Sequence, residues 1–231
     1  MNLSKRLFAI KDMIAENSIV ADIGTDHGYI PVFLIENEIS KKVIAADISK
    51  GSLEKTIKLV RSLGLNHSIE TRLGDGLNVI KPYEVDTLIV AGMGGVLIRD
   101  ILEKNKDIAE SINNFVFQPM IGVKELRKYL IHNNFEIVDE DLVFEEEKYY
   151  EIISAKRGKS CISKEIHYEI SELLLEKKHP LLGDFIKYKI NKVESIINEI
   201  RLVETEKSKE KYIELENLLK DYKEVLVKVE G

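Results

Sequence analysis

Short apolar runs alternate with helical patterns from residue 1 to about residue 157. The runs are rich in Val, Ile and Phe and have the length of β-strands, while helical patterns lie between the first five runs and before the sixth. The predicted strands are Ile19–Ile23, Lys42–Asp47, Ser68–Leu73, Thr87–Ala91, Phe115–Gln118, Phe135–Phe144 and Tyr149–Ala155. Such alternation predicts a parallel, doubly wound α/β sheet with right-handed crossovers.

The last two predicted strands are separated only by the acidic turn Glu145–Lys148. A connection this short cannot carry a crossover helix, so the two strands should form an antiparallel hairpin. We place this hairpin at one edge of the sheet. Five parallel strands followed by the hairpin make a sheet of seven strands.

The pattern changes after the segment Lys156–Lys159, because no strand pattern follows it. A short helix is predicted over Ser163–Lys177, ended by His179-Pro180, since proline disfavours helix at the residue before it. Apolar residues then recur at steps of four and three along two stretches. They are Leu182, Ile186, Ile190, Val193, Ile197 and Ile200, and then Tyr212, Leu215, Leu219, Tyr222, Leu226 and Val229.

The polar stretch Glu204–Lys211 separates these two stripes. Two heptad-like stripes joined by a polar turn are typical of an antiparallel helical hairpin, a short coiled coil. The chain is therefore expected to hold an α/β domain over residues 1–158 and a helical coiled-coil domain over residues 159–231. The simplest role for the stripes is packing, although the outer faces of the hairpin could hold an extended partner.

A length of 231 residues, with 44% hydrophobic and 32% charged residues, suits a folded α/β domain plus a smaller module. No apolar run approaches the roughly 18 to 20 residues of a membrane span, and the N-terminal residues do not resemble a signal peptide. Cys161 is the only cysteine, which excludes an internal disulfide and argues against a Cys-based zinc site. We therefore expect a cytoplasmic protein without a metal.

The net charge of −6 is unevenly distributed. Acidic runs at Asp139–Asp141 and Glu145–Glu147 leave basic clusters elsewhere, among them one formed by Lys124, Arg127 and Lys128. Because binding of a polyanion follows local patches rather than total charge, an acidic total weighs only weakly against a nucleic-acid partner.

The segment Ile19–Tyr29 contains the strongest candidate chemistry. An apolar run ends in Asp22 and Gly24, and Gly28 follows, which is how a strand enters a tight turn and opens a helix with its N–H groups facing a ligand. Asp26 occupies the position of the second glycine in the dinucleotide fingerprint, where a carboxylate would repel a pyrophosphate. It suits a cofactor with a positive charge and an amino group. The alternative is an ordinary turn that needs its glycines for backbone reasons.

Three other strand ends support a nucleoside cofactor. Asp47 lies a little over 20 residues beyond Gly24, where an acid binds the hydroxyls of a ribose. Asp75 lies in the tight loop Gly74–Gly76 and could reach an adenine amino group, and Ala91–Gly95 exposes backbone after the fourth strand. Each also has a simpler explanation, as a helix N-cap or a turn.

Taken together, these segments resemble the class I S-adenosylmethionine-dependent methyltransferases, whose sheet also ends in such a hairpin. More narrowly, the chain resembles the TrmK family of bacterial tRNA (adenine(22)-N(1))-methyltransferases, which pairs this domain with a C-terminal helical coiled coil. The segments that carry this resemblance are Ser4–Leu7, Ala21–Tyr29, Gly74–Gly76, Ala91–Gly95 and Gln118-Pro119.

The resemblance implies S-adenosyl-L-methionine as cofactor and assigns roles to matching positions. Arg6 and Leu7 would close over the cofactor, and its methionine end would be lined by Asp22, Gly24, Asp26 and His27. Asp47 and Ile48 would hold the ribose, and Asp75 and Gly76 would hold the adenine. The transfer site would be bordered by Ala91, Gly92, Met93 and Gly94. Tyr29 would contact or stack on the target base, and Asp26 would stabilise the cationic adenine that forms.

A ring nitrogen of adenine has an in-plane lone pair, so positioning accounts for most of the catalysis, and no metal or covalent nucleophile is needed. The base must first be exposed or flipped. We expect basic surface to hold the tRNA, although solvated surface is the simpler interpretation of each side chain. The candidates are Lys55, Lys58 and Arg61 on one helical face, and Lys177, Lys178, Lys187 and Lys189 near the start of the hairpin.

Two other functions stay open on these residues. One is a methyltransferase of the same fold that acts on a small molecule or a protein. The other is a non-catalytic adaptor whose coiled coil binds a protein and whose cofactor site is vestigial, although Asp22, Gly24, Asp47 and Asp75 argue against such decay. A dehydrogenase is disfavoured by Asp26 and by the terminal hairpin.

Overall fold

The computed structural model describes residues 3–202 and 205–231. The chain divides into two compact units, Met1–Cys161 and Ile162–Gly231. This division lies just beyond the boundary expected at residue 158. The first residue of the predicted polar turn, Glu204, lies outside the described residues.

The N-terminal unit is built on seven strands, and every predicted strand is found. They are β1 (Ser18–Ile23), β2 (Ser40–Asp47), β3 (Ile69–Leu73), β4 (Thr87–Met93), β5 (Asn114–Pro119), β6 (Phe135–Glu145) and β7 (Lys148–Arg157). They form one sheet in the order β3-β2-β1-β4-β5-β7-β6. Strands β1 to β5 are parallel, and β7 runs antiparallel to both β5 and β6. The predicted terminal hairpin of β6 and β7 is confirmed, and β7 lies between β5 and β6.

Helices cover both faces of this sheet. They are α1 (Lys5–Asp12), α2 (Tyr29–Glu36), α3 (Lys50–Ser62), α4 (Gly95–Lys104), α5 (Lys106–Glu110) and α6 (Val123–His132), with a 3-10 turn at Gly76–Val79. Alternate residues of the central strand β4 enter opposite cores: Leu88 and Val90 pack on the side of α4 and α6, and Ile89 packs on the side of α1 and α2. Burial on both faces explains why the central parallel strands β1, β4 and β5 are largely apolar.

The crossovers reverse direction at β1, which pairs with β2 on one side and β4 on the other. In an open α/β sheet, the crevice outside the carboxyl ends of two such strands is where ligands bind. The turn after β1 and the end of β4, which contain several of the predicted cofactor residues, therefore lie at this crevice.

The C-terminal unit is helical in its described residues. It contains a 3-10 turn (Glu165–Tyr168) followed by α7 (Glu172–Glu176), α8 (Leu182–Ile200) and α9 (Glu206–Glu230). The prediction of a single helix over Ser163–Lys177 is wrong, because the helical structure is interrupted before Ser171 and a new helix begins after it. The hydroxyl of Ser171 accepts a hydrogen bond from the backbone N–H of Leu174 at 3.2 Å and so caps a new helix.

The apolar stripes of α8 and α9 pack against each other. The buried positions are Leu182, Phe185, Ile186, Ile190, Val193 and Ile197 on α8, and Leu215, Leu219, Tyr222 and Val225 on α9. Most of the predicted stripe is thus buried, but Val225 takes the inward position near the end of α9 and Leu226 is partly exposed. In the described parts of the chain, no helix combines the length and apolar character that crossing a membrane requires.

Candidate active site

A cavity of about 320 Å³ opens beyond the carboxyl ends of β1 and β4. Its position is the crevice that the strand order predicts for a ligand. The lining consists of Arg6, Leu7, Asp22, Gly24, Thr25, Asp26, His27, Tyr29, Ile30, Ala91 and Gly92. All except Thr25 and Ile30 were predicted site residues, so the fold brings together residues from α1, the β1 turn, the start of α2 and the end of β4.

The β1 turn is shaped by Gly24, whose φ is +82°. The backbone N–H groups of Gly24 and Thr25 both donate to the carbonyl of Ala46, at 2.8 and 3.0 Å. A Cβ atom on Gly24 would lie 2.1 Å from Cε of Met93, which reaches over the turn from β4. The left-handed conformation therefore favours glycine here, and any side chain would also have to displace the terminal methyl group of Met93.

Asp22 is the penultimate residue of β1, with only 5% of its surface exposed. Burial raises the pKa of its carboxyl group to about 6, a hydrogen bond with the Thr25 side chain lowers it, and the charge of Asp47 raises it. A carboxylate that folding removes from water gains most from a ligand that brings a positive charge or donated hydrogen bonds. Asp22 thus fits the cationic end of a cofactor.

Arg6 is anchored to the cavity by Gln118, which sequence reasoning did not identify as a site residue. Nη1 of Arg6 donates to Oε1 of Gln118 at 2.5 Å, and the Arg6 guanidinium lies 5.4 Å from the centre of the Tyr150 ring. Gln118 is fully buried near the end of β5, and its Nε2 donates to the carbonyl of Pro119 at 3.0 Å. The sequence did contain a signal for Gln118, because it is a polar residue near the end of an otherwise apolar strand, at the edge of the sheet where the ligand binds.

Asp26 lies at the mouth of the cavity and is more than half exposed. Its carboxylate binds Nζ of Lys55 at 3.1 Å and Nδ1 of His27 at 3.0 Å. Lys55, predicted to contact RNA phosphate, is therefore the ion-pair partner of Asp26 in this structure. The His27 ring in turn stacks on Tyr29, with ring centres 5.3 Å apart and planes at 14°. The result is a flat aromatic surface beside the cavity.

The other predicted cofactor residues, Asp47, Ile48, Asp75, Gly76, Met93 and Gly94, do not belong to the described lining of the cavity. Asp47 is the last residue of β2, and its Oδ1 accepts from the N–H of Ser49 at 2.6 Å. Asp75, beyond β3, binds Nζ of Lys104 at 2.6 Å. Both carboxylates lie at the same sheet edge as the cavity, because the carboxyl ends of parallel strands meet there.

The predicted RNA-binding residues differ in exposure. Lys58 and Arg61 are exposed on α3, and Lys177 and Lys178 are exposed between α7 and α8. Lys187 forms an ion pair with Glu230 at 2.7 Å.

Lys189 is mostly buried: it binds Glu169 at 3.2 Å and lies over the rings of Phe185 and Tyr222. It is engaged in packing of the C-terminal unit rather than in the exposed surface that was predicted. No group of three or more His, Cys, Asp or Glu suited to a metal is found within residues 3–202 and 205–231.

Comparison with known proteins agrees with this geometry. The family model described as a methyltransferase domain matches residues 3–153. The tRNA (adenine(22)-N(1))-methyltransferase of Bacillus subtilis (strain 168) is 32% identical over 232 residues, which cover 98% of each chain. This chain belongs to the TrmK family of bacterial tRNA (adenine(22)-N(1))-methyltransferases.

Solved structures of similar proteins extend the match to three dimensions. The crystal structure of the B. subtilis m1A22 tRNA methyltransferase TrmK superimposes with a TM-score of 0.89 at 32% identity, covering 97% of this chain and 99% of that one. A Streptococcus pneumoniae structure in complex with S-adenosyl-L-methionine gives a TM-score of 0.88 at 28% identity and covers 97% and 100%. S-adenosyl-L-methionine is the cofactor of this TrmK family member.

The residues of the cavity fit that cofactor. A buried carboxylate with a raised pKa suits a ligand that carries a sulfonium and an amino group, and Gly24 keeps the turn free of a side chain. Thr25 and Ile30 complete the lining and were missed from the sequence. Thr25 is buried and bonds Asp22, a role that only the fold reveals.

Proposed function

We propose that this protein transfers the methyl group of S-adenosyl-L-methionine to nitrogen 1 of adenine 22 in tRNA. The observation that carries the proposal is the 32% identity to the B. subtilis enzyme over 98% of both chains, which includes the C-terminal unit. The cavity at the end of β1 supports it, since its lining suits this cofactor. We infer a cytoplasmic location from the tRNA substrate.

S-adenosyl-L-methionine, when bound, supplies an electrophilic methyl group on its sulfonium. Asp22 would accept hydrogen bonds or positive charge at the methionine end, and Arg6 and Leu7 would cover it. Asp47 with Ile48 would bind the ribose and Asp75 with Gly76 the adenine, on the same sheet edge. Asp75 would exchange or share its bond to Lys104. The backbone of Ala91, Gly92, Met93 and Gly94 would border the reacting atoms.

The target base would lie on the aromatic surface formed by His27 and Tyr29. Its ring nitrogen attacks through an in-plane lone pair, so the main task of the chain is to align that nitrogen with the methyl group. Methylation leaves a positive charge on the base. Asp26, held at the cavity mouth by Lys55 and His27, is placed to stabilise that charge.

We further propose that α8 and α9 form an antiparallel coiled coil that grips the tRNA. Ion pairs support the antiparallel direction, because residues early in α8 bind residues late in α9. Lys187 binds Glu230 at 2.7 Å, Glu194 binds Lys223 at 2.9 Å, and Arg201, just after α8, lies 3.5 Å from Glu216. Lys177 and Lys178 of this unit, with Lys58 and Arg61 of the other, would contact phosphates.

Incubation with methyl-labelled S-adenosyl-L-methionine and bulk tRNA, followed by digestion to nucleosides, tests the proposal. We expect label in 1-methyladenosine for the wild type and for the control Asp107→Asn, an exposed position on α5. The variant Asp22→Asn should lose most of it. Absence of label from tRNA in the wild type would reject the function, and label in another nucleoside would reject the adenine assignment.

A further inference from the structure

Four large apolar side chains are exposed together beside the proposed transfer site, and none of them lines the cofactor cavity. Val96 and Leu97 in the first turn of α4 are 42% and 51% exposed, and Met120 and Ile121 after β5 are 46% and 74% exposed. We call these four residues the apolar rim. Single exposed apolar residues are ordinary, but a group of four on the first turn of α4 and the adjoining loop after β5 indicates an interaction surface.

The rim is held rigidly to the loop that borders the reacting atoms. The N–H of Met120 donates to the carbonyl of Met93 at 2.8 Å, and the N–H of Gly95 donates to the carbonyl of Ile121 at 2.7 Å. A Cβ atom on Gly94 would lie only 3.6 Å from Cγ1 of Ile121. The most exposed residue of the rim is therefore in close contact with the backbone of the proposed transfer site.

A second connection runs from the rim to the cofactor cavity through Gln118. Its Nε2 lies 3.6 Å from Sδ of Met120, while its Oε1 accepts from Arg6. Because Gln118 is fully buried, these contacts fix the distance between the rim and the cavity. A molecule lying on the rim would thus have a defined position relative to the cofactor.

The chemistry of this surface favours nucleobases over a protein partner. A polynucleotide that presents one adenine at Gly92–Gly94 has to place its neighbouring nucleotides on the residues beside that loop, and these are the rim. The N-terminal end of α4 also lies here. Its cap is Gly94, and its first turn contains no acidic residue, so the positive end of the helix dipole faces this edge and suits a polyanion.

We propose that the apolar rim is a wedge that stacks against the bases on either side of the target adenine and occupies the space that this adenine leaves when it flips. Ile121 would be the inserted side chain, with Met120, Val96 and Leu97 as the surface for the flanking bases. Apolar wedges of this kind unstack base steps, and a flipped base requires something to hold the stack open. This proposal rests on the proposed tRNA methylation and adds the surface that exposes the base.

Substitution of the full-length protein tests the wedge. A tRNA with 2-aminopurine in place of the target adenine fluoresces more strongly when that base leaves the stack. Addition of wild-type protein at a saturating concentration, in the presence of S-adenosylhomocysteine, should raise the fluorescence of this tRNA. The variant Ile121→Ala should remove most of the rise. For methylation of ordinary tRNA, Ile121→Ala should reduce kcat/KM by about tenfold or more, the size of effect expected when the burial of an isoleucine side chain between bases is lost. Affinity for S-adenosyl-L-methionine should not change.

Val138→Ala is the matched control, because Val138 is 40% exposed on β6 and lies outside the rim. Ile121→Leu should retain the fluorescence rise, since it keeps an apolar side chain of the same volume. If Ile121→Ala equals the control in fluorescence and kcat/KM, or if it weakens cofactor binding as much as it weakens methylation, the wedge is rejected. Failure of the wild type to methylate any tRNA would instead reject the proposed function itself.

Discussion

Asp22 shows how a single residue of the site works against the stability of the empty protein. The folded chain buries this carboxyl group and raises its pKa to about 6, whereas an unfolded aspartate titrates near ~3.9. Between these two pH values the folded protein binds a proton that the unfolded chain has released. The contribution of Asp22 to the free energy of unfolding of the cofactor-free protein must therefore fall as the pH rises from about 4 to about 6.

The variant Asp22→Asn should remove this penalty. We expect the cofactor-free variant to be more stable than the wild type at pH 7 by up to roughly 3 kcal/mol, given about 1.4 kcal/mol per unit of pKa shift, and to lose affinity for S-adenosyl-L-methionine. Urea unfolding between pH 4 and pH 8 measures the first effect, and calorimetric titration the second. A variant that is less stable at pH 7 yet binds the cofactor normally would show that Asp22 is a structural residue.

At the scale of elements, α4 and α6 begin so close together that only glycine fits between them. A Cβ atom on Gly95 would lie 2.1 Å from the carbonyl oxygen of Gly122 and 2.8 Å from its carbon. Both are backbone atoms, so no side chain can move aside. This contact positions the apolar rim as well as the start of each helix.

Gly95→Ala should therefore destabilise the protein by roughly 1–3 kcal/mol, the usual cost of overpacking. The matched control is Gly51→Ala in α3, where the nearest side-chain atom to the new Cβ lies 3.8 Å away. The control should be neutral or slightly stabilised, since alanine favours helix. Chemical unfolding of both variants decides the matter, and equal stability of the two would contradict the packing described for α4 and α6.

A buried ion cluster links α6 to the terminal hairpin. Arg127 is 1% exposed; its Nε donates to Glu140 at 2.8 Å, and its Nη2 to Glu151 at 2.7 Å. Both carboxylates are also buried. Removing the cation would leave two negative charges in a region without water, which is far more costly than losing an exposed pair.

Arg127→Met should cost roughly 3–5 kcal/mol at pH 7. Arg99→Met is the control, since Arg99 and Asp100 form an exposed pair expected to contribute at most about 1 kcal/mol. Thermal unfolding of both variants at pH 5 and pH 7 tests this interpretation. Equal losses of stability in the two variants would contradict it.

These elements also show how far sequence reasoning reaches. Local patterns found all seven strands and the terminal hairpin, because most strands contain an apolar run and the short turn forces reversal. It did not reveal that β7 lies between β5 and β6, which depends on contacts distant in the chain. Likewise Arg127 and Glu140 belong to basic and acidic runs of the sequence but are buried partners in the fold.

The same distinction holds for the site. Glycines and acids at strand ends identify the β1 turn and the β4 loop, because parallel strands bring their carboxyl ends to one edge. Thr25 and Gln118 were missed, since their roles depend on burial beside Asp22 and Arg6. The ion pair between Asp26 and Lys55 was missed for the same reason, as it joins the β1 turn to α3.

For the molecule as a whole, we expect the two compact units to have separate functions, cofactor binding in the first and tRNA binding in the second. The N-terminal unit contains the complete sheet and the cavity, and its cores are made by its own helices. A chain ending at Cys161 should therefore bind S-adenosyl-L-methionine like the full protein. It should fail to methylate tRNA, because the proposed tRNA-gripping coiled coil is missing. Normal methylation by this truncated chain would refute that role.

The most direct test of the central claim uses two tRNA transcripts that differ only at position 22. One carries adenine there and the other guanine, and each is incubated with the full-length protein and S-adenosyl-L-methionine. Methylation of nitrogen 1 blocks Watson–Crick pairing, so we predict that reverse transcription stops immediately before position 22 in the adenine transcript only, and that this transcript gains one methyl group per molecule. Equal methylation of both transcripts, or a stop at another position, would contradict the account.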